Sequence, residues 1–368
     1  MAVSIEQVSG PGRIAEPAEG ITVDELRLAS RNHAMPREAM REDLTPPGLH
    51  YVLAHYDLPA VDVAAWRLQI DGTVERRLEL DLDSLRSMPA RTVRVTLECA
   101  GNGRAALSPR PVSQPWLDGA VGTAEWTGVL LADLLRDAQP TARAVDVVFT
   151  GADHGFDHGV EQDYERGLAL ADALADDVLL AYEMNGAPLP LQHGRPLRLI
   201  VPGWYGMAHV KWLRRIRLVD RPYDGYQNVS SYRLRQEAGE VGDPVTRIEP
   251  RALLVPPGDP DFMTRERILR PGPVTLTGRA WSGWGPIERV EVSTDDGRSW
   301  ADADLGPQEH RWAWRAFSAP WEAAAGHHVL RVRAHDGTGR EQPQDPRWNL
   351  GGFANNADQP VTVHVLDG

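Results

Sequence analysis

The chain has 368 residues, 42 % of them hydrophobic and 25 % charged, a balance that excludes a disordered or fibrous protein and gives enough length for two domains. With 39 basic and 52 acidic side chains the formal charge is −13, which argues against nucleic acid as the main partner, since phosphate binding draws on clustered Lys and Arg. A few inward arginines could still attract a small anion into a cleft.

In chain order, residues 1–20 read as a loose N-terminal arm. They carry Glu6, Glu16 and Glu19 and have no apolar core of a signal peptide. No run of about 18 apolar residues occurs, so no membrane span is expected, and the reading is a cytoplasmic protein. Trp66–Ile70 and Arg91–Leu97 have the pattern of strands, the second alternating regularly. Thr127 is placed to cap a helix over Gly128–Asp137, with Leu130, Leu131, Leu134 and Leu135 on one face. Val145–Phe149 and Leu197–Val201 read as buried strands. These elements outline a mixed α/β domain over residues 21–242.

From residue 243 the composition shifts. Pro244, Pro250, Pro256, Pro257, Pro260, Pro271 and Pro273 crowd a stretch with little periodicity, which reads as a linker opening a second domain, 243–368. Beyond it Val274–Trp281, Arg289–Ser293, Arg311–Phe317, Val329–His335 and Val361–Val365 alternate as strands. Asp295-Asp296-Gly297 and Asp336-Gly337 supply turns. With Trp281, Trp300, Trp312 and Trp314 as aromatic rungs, this half reads as an immunoglobulin-like β-sandwich.

Cys99 is the only cysteine and stands where an alternating strand runs into a glycine loop, Glu98-Cys99-Ala100-Gly101-Asn102-Gly103-Arg104. A buried structural thiol is the plain reading of such a residue. Against it, a strand end is a common place for a site, the glycines admit a bulky ligand, and Arg104 favours thiolate. Structural zinc is a poor account without CxxC or clustered ligands, and a Cys–His nucleophile remains open. Asp153-His154-Gly155-Phe156-Asp157-His158 offers a second set of metal-type donors.

The Cys99 loop resembles the molybdenum-ligand loop of the sulfite oxidase family, which includes the molybdenum domain of eukaryotic nitrate reductases. Further segments carry the resemblance: Arg31-Asn32-His33; Leu179 to Gly186 followed by His193-Gly194, Pro196-Leu197-Arg198 and Val201-Pro202-Gly203; His209 to Leu213; Gly278 to Gly283; and Trp348-Asn349-Leu350. It implies an α+β protein: a molybdopterin-binding domain followed by an immunoglobulin-like dimerisation domain, and hence a homodimer.

It also implies a molybdenum–molybdopterin cofactor, a pterin dithiolene with oxo ligands, held through Cys99 as the single protein ligand to the metal. Pterin contacts fall on Asn32, His33, Asp153, His193, Arg198, His209 and Lys211, cationic and amide donors suited to a phosphorylated fused ring. The substrate pocket takes Arg31, Arg104, Trp116 and Tyr232, and paired guanidinium groups suit a small oxyanion. Gly351 stands where sulfite oxidases carry an arginine, which leans toward the nitrate reductase arrangement. Sulfite oxidation is the expected reaction, with reduction of nitrate, a sulfoxide or another oxyanion as the alternative. No haem-attachment, iron–sulfur or flavin pattern occurs, so the electron acceptor is expected to be external, a cytochrome, another small carrier or oxygen.

Overall fold

The computed structural model describes residues 3–367. Two five-stranded sheets build the first half. One runs Ala187–Pro188, Leu179–Met184, Val121–Leu130, Ala90–Glu98, with Arg198–Ile200 also paired to Leu179–Met184. The other runs Leu78–Leu80, Leu68–Gly72, Leu213–Val219, Asp146–Asp157, Val160–Ala169, antiparallel except where Leu213–Val219 lies parallel to Leu68–Gly72. Leu68, Ile70, Val147, Phe149, Leu180, Leu199 and Ile216 join one apolar core, as alternating β-branched and leucine side chains require.

The helix expected over Gly128–Asp137 is shorter, Leu131–Ala138, and Thr127 does not cap it. Thr127 lies inside the Val121–Leu130 strand, and its hydroxyl meets that of Thr92 at 2.7 Å. A strand with partners on both sides satisfies its backbone more fully than one side-chain cap can, so the ladder wins. The expected apolar face survives as buried Leu131, Leu134 and Leu135.

Two further expectations are corrected. The N-terminal arm is docked: Arg13–Ile14 pairs with Pro111–Val112, and Arg110 donates to Glu19 O at 3.1 Å. The proline-rich stretch is part of the sandwich, because Arg251–Val255 is a fully buried strand paired with Gly272–Trp281. Its prolines flank the strand and leave the strand's own amides free for the ladder.

The second half is a β-sandwich. A four-stranded sheet, ordered Arg251–Val255, Gly272–Trp281, Arg315–Ala323, Asp304–Leu305, faces a six-stranded one that includes Val361–Val365, Gly326–Asp336 and Ile287–Ser293. Its core is mainly aliphatic. Three of the four tryptophans expected as its rungs turn toward the first half instead. Trp281 and Trp314 share a cluster with Tyr205 and Tyr232, and Trp312 donates from Nε1 to Asp177. Trp300 sits under Arg333. The strand expected at Arg311–Phe317 therefore begins only at Arg315, because the residues before it bond across the domains: the Thr96 amide donates to Trp312 O and the Trp314 amide to Thr96 Oγ1, both at 2.8 Å.

Candidate functional site

The Ala90–Glu98 strand ends at Cys99, whose amide still donates to Ala120 O at 2.9 Å. Asn102 then locks the loop, accepting from the Ala120 amide at 3.0 Å and donating to Asp118 O at 3.1 Å and Glu98 Oε1 at 3.0 Å. Gly103 turns the chain at φ +87°, which favours glycine, and a Cβ at Gly101 would stand 2.6 Å from the Arg104 guanidinium and push it from its place. Cys99 is 7 % exposed. Burial pushes its thiol up, opposed mainly by the Arg104 charge.

Two adjoining cavities share Leu53, His55, Cys99 and Tyr232 in their walls, so the thiol stands at their junction. The inner one is also lined by Asp153, His193, Arg198, His209 and Lys211, five of the residues expected to contact a pterin, together with His50 and Gln192. Arg198 is 4 % exposed and donates to His193 O at 3.1 Å and His209 O at 3.4 Å, while its Nε has no partner. Burial brings it down to about 10. Lys211 donates to Leu53 O at 2.7 Å and Gln192 O at 3.1 Å, and burial beside Arg198 pushes it down to about 7. Burial lifts Asp153 to about 6, and its Oδ1 is unpartnered. Burial also keeps His50 and His209 neutral, at about 4 and about 3. The bonding network assigns the His209 tautomer: Nδ1 accepts from the Val201 amide at 3.1 Å and Nε2 donates to Trp204 O at 3.0 Å.

A buried pocket of this kind, with a guanidinium, an ammonium and a carboxylate that the protein leaves incompletely bonded, fits a polar, phosphorylated ring system. A thiol where this pocket meets the outer cleft is a soft donor for a sulfur-rich metal.

The outer cleft, about 750 Å³, contains Asn32, Arg104, Trp116, Tyr232, Gly351 and Phe353. Arg104 is 5 % exposed and donates to Gly351 O at 3.0 Å and Gln114 O at 3.2 Å. Its guanidinium lies 5.2 Å from the Phe353 ring centre. Trp116 is buried with an unpartnered Nε1. Gly351 has no room for a longer side chain, since a Cβ would meet the Phe353 ring at 2.3 Å.

Arg31 and His33 are not brought into either cavity. Both are exposed; Arg31 bonds Tyr56 O, and His33 pairs through its backbone with Val52. Asn32 reaches the cleft wall, but its amide is spent on Leu28 O, Gln114 Oε1 and the Ala54 amide. The physical reason is the chain path: the 31–33 segment crosses behind Leu53-Ala54-His55 and supports it.

His55, which no motif singled out, takes the cavity position, 2.6 Å from the Tyr232 hydroxyl and stacked on Tyr164 at 4.8 Å. The second donor cluster does not hold together either. Strand alternation points Asp153 inward and His154 outward to Asp163 and Glu161, and no metal-binding group of three such residues forms among the described residues.

Cavity, thiol and fold together define a molybdopterin-binding oxidoreductase. The oxidoreductase molybdopterin binding domain family matches residues 55–227, and the Mo-co oxidoreductase dimerisation domain family matches 246–366. The sulfite oxidase of Gallus gallus is 37 % identical over 90 % of this chain and 76 % of its own length. The mitochondrial sulfite oxidase of Mus musculus is 33 % identical over 93 % of this chain, which spans 66 % of that protein. Among solved structures, the sulfane dehydrogenase SoxCD of Paracoccus pantotrophus superposes with a TM-score of 0.79 at 26 % identity, covering 100 % of this chain and 93 % of that one. The chain belongs to the sulfite oxidase family of molybdenum–molybdopterin oxidoreductases.

Proposed function

We propose that this protein oxidises sulfite to sulfate and passes the electrons to an external acceptor, a cytochrome, another small carrier or oxygen. The observation that carries the reading is the grouping of Arg104, Tyr232 and His55 around Cys99 at the mouth of the pterin-type pocket. Oxygen-atom transfer and two-electron uptake are what a bound molybdenum–pterin group supplies. Cys99 is assigned as its protein ligand, with Asp153, His193, Arg198, His209 and Lys211 around the pterin and Asn32 supporting from the wall. Arg31 and His33 keep no direct role in this assignment.

The chain's own part is position and charge. Arg104 is held by two carbonyls and has no carboxylate partner among the described residues, so its charge is directed at an anion in the cleft. Tyr232 offers its hydroxyl beside the thiol, fixed by neutral His55, and Trp116 closes the wall against water.

The alternative, reduction of nitrate, a sulfoxide or another oxyanion, is favoured by one feature, Gly351, where Phe353 fills the space of a longer side chain. The deciding experiment is sulfite-dependent ferricyanide reduction by protein shown to contain molybdenum. Saturable turnover, lost in Cys99→Ser, is expected; none from metal-loaded protein sends the assignment to reduction.

The residues 246–366 carry the dimerisation-domain match, and a homodimer is part of the proposal. Sedimentation showing only monomer at micromolar concentration would remove it. The domain boundary at 242/243 and a cytoplasmic location belong to the same proposal, the latter testable by cell fractionation.

A further inference from the structure

The first domain buries a third guanidinium, beside Arg104 and Arg198, that the reading above does not use. Arg166, on the Val160–Ala169 strand, is 3 % exposed. Its hydrogen-bond partners among the described residues are both backbone carbonyls, Gln227 O through Nη1 and Val245 O at 3.4 Å through Nη2, and its Nε has no partner. Its guanidinium carbon lies 5.6 Å from the ring centre of Tyr232. Tyr164, two residues back and so on the same strand face, stacks on His55, which bonds the Tyr232 hydroxyl. One strand thus supports both members of the His55–Tyr232 pair.

A buried charge is ordinarily paired, because low-dielectric surroundings penalise it. Carbonyl dipoles hold Arg166 in place but leave its net charge intact, and a charge in such surroundings acts on its neighbours with little screening. What adjoins it is the cleft where Tyr232 and Arg104 stand. The second arginine that a small oxyanion would need there was expected to be Arg31, which lies exposed on Tyr56 O.

Arg13, Arg233 and Arg235 also line the cleft, Arg13 paired with Glu19 and the other two bonded to backbone carbonyls nearer the surface. We propose that Arg166 is a further, buried cation of this anion site, a positioning residue that acts through Tyr232. It fixes the tyrosine ring by cation–π contact and adds positive potential to the cleft without lining it. The inference rests on the proposed oxyanion role of the cleft.

The test uses molybdenum-loaded protein and three variants, Arg166→Lys, Arg166→Met and Arg166→Gln, each checked for metal content and thermal midpoint. Two readouts are taken: kcat and KM for sulfite, and sulfate binding by calorimetry, which needs no turnover. Arg166→Met and Arg166→Gln are expected to raise the sulfite KM and weaken sulfate binding by about tenfold or more, with kcat changed by less than about threefold. Arg166→Lys is expected to stay within about threefold of wild type on both. Wild-type KM and sulfate affinity in a folded neutral variant overturn the proposal, as does a lysine variant as weak as the methionine one. Should Arg166→Met fail to fold, Arg166→Gln, which keeps a donor for the carbonyls, decides by the same measurements. Wild-type protein that binds sulfate but does not oxidise sulfite refutes sulfite oxidation alone, and the variants' sulfate affinities still decide the role of Arg166. Wild-type protein that binds no sulfate overturns the role of Arg166.

Discussion

Nε2 of His55 stands 2.6 Å from the Tyr232 hydroxyl across 177 residues of chain. Burial, reinforced by the charges of Lys211 and Arg104, brings His55 down to about 3, so the imidazole is neutral at physiological pH and can fix the phenol without adding a charge. Tyr232→Phe removes the hydroxyl from the cleft, and its expected effect is a fall in sulfite kcat/KM of about 100-fold or more. His55→Ala should lower it by about tenfold, through a loosened tyrosine. Stopped-flow reduction by sulfite measures both, and a fully active Tyr232→Phe would remove the hydroxyl from the proposed chemistry.

Cys99→Ser should abolish turnover while costing little stability, since the serine hydroxyl occupies the same space and Cys99 makes no long-range ion pair. Loss of more than about 3 kcal/mol in urea unfolding would place the residue among purely structural thiols.

Glu98, next to Cys99, is tied to the second domain. Its carboxylate lies 2.9 Å from Arg251 and accepts from Trp281 Nε1 at 2.7 Å, and both charged side chains are buried at 2 % and 0 % exposure. Arg251→Met leaves the buried carboxylate without its counter-charge, at a cost of about 3–5 kcal/mol. Adding Glu98→Gln should recover more than half of that. Urea midpoints of the two variants check it, and an unchanged midpoint in the single variant would show that the pair does not clamp the domains.

Acid should weaken the cofactor-free protein. His50, His55 and His209 are held at about 4, about 3 and about 3, and His193 lower still, chiefly by burial, from an ordinary 6.5. Below 6.5 the unfolded chain takes up protons that the folded one refuses, so their contribution is complete above that pH and is lost as pH falls. Asp153 and Asp358, both raised to about 6 by burial, act in the opposite sense between 6 and their ordinary 3.8. The four buried histidines outweigh these two carboxylates, so stability is expected to fall as pH drops from 6 to 4. Urea titrations across that range test this, and greater stability at pH 5 than at pH 7 would contradict it.

The sequence by itself determined the cofactor loop, the two-domain order and most strands, because these are local. Alternation fixes a strand, glycines at 101 and 103 fix a turn, and the residues from Leu179 to Lys211 form one contiguous run that folds around one pocket. Asp153, His193, Arg198, His209 and Lys211, which the family resemblance implied as pterin contacts, all line the inner cavity. Only the tertiary structure decided which cations stand at the outer cleft. Arg31-Asn32-His33 has the right letters, but chain path sends Arg31 and His33 to the surface and spends the Asn32 amide on supporting Ala54. His55 and Arg166 carry no local signal, since a lone histidine and a strand arginine acquire meaning only when Tyr232, far along the chain, is packed against them. The proline-rich stretch misled in the same way. Prolines report what a segment cannot donate, whereas the buried strand Arg251–Val255 between them was set by its pairing with Gly272–Trp281, a contact made by the fold and absent from any local pattern.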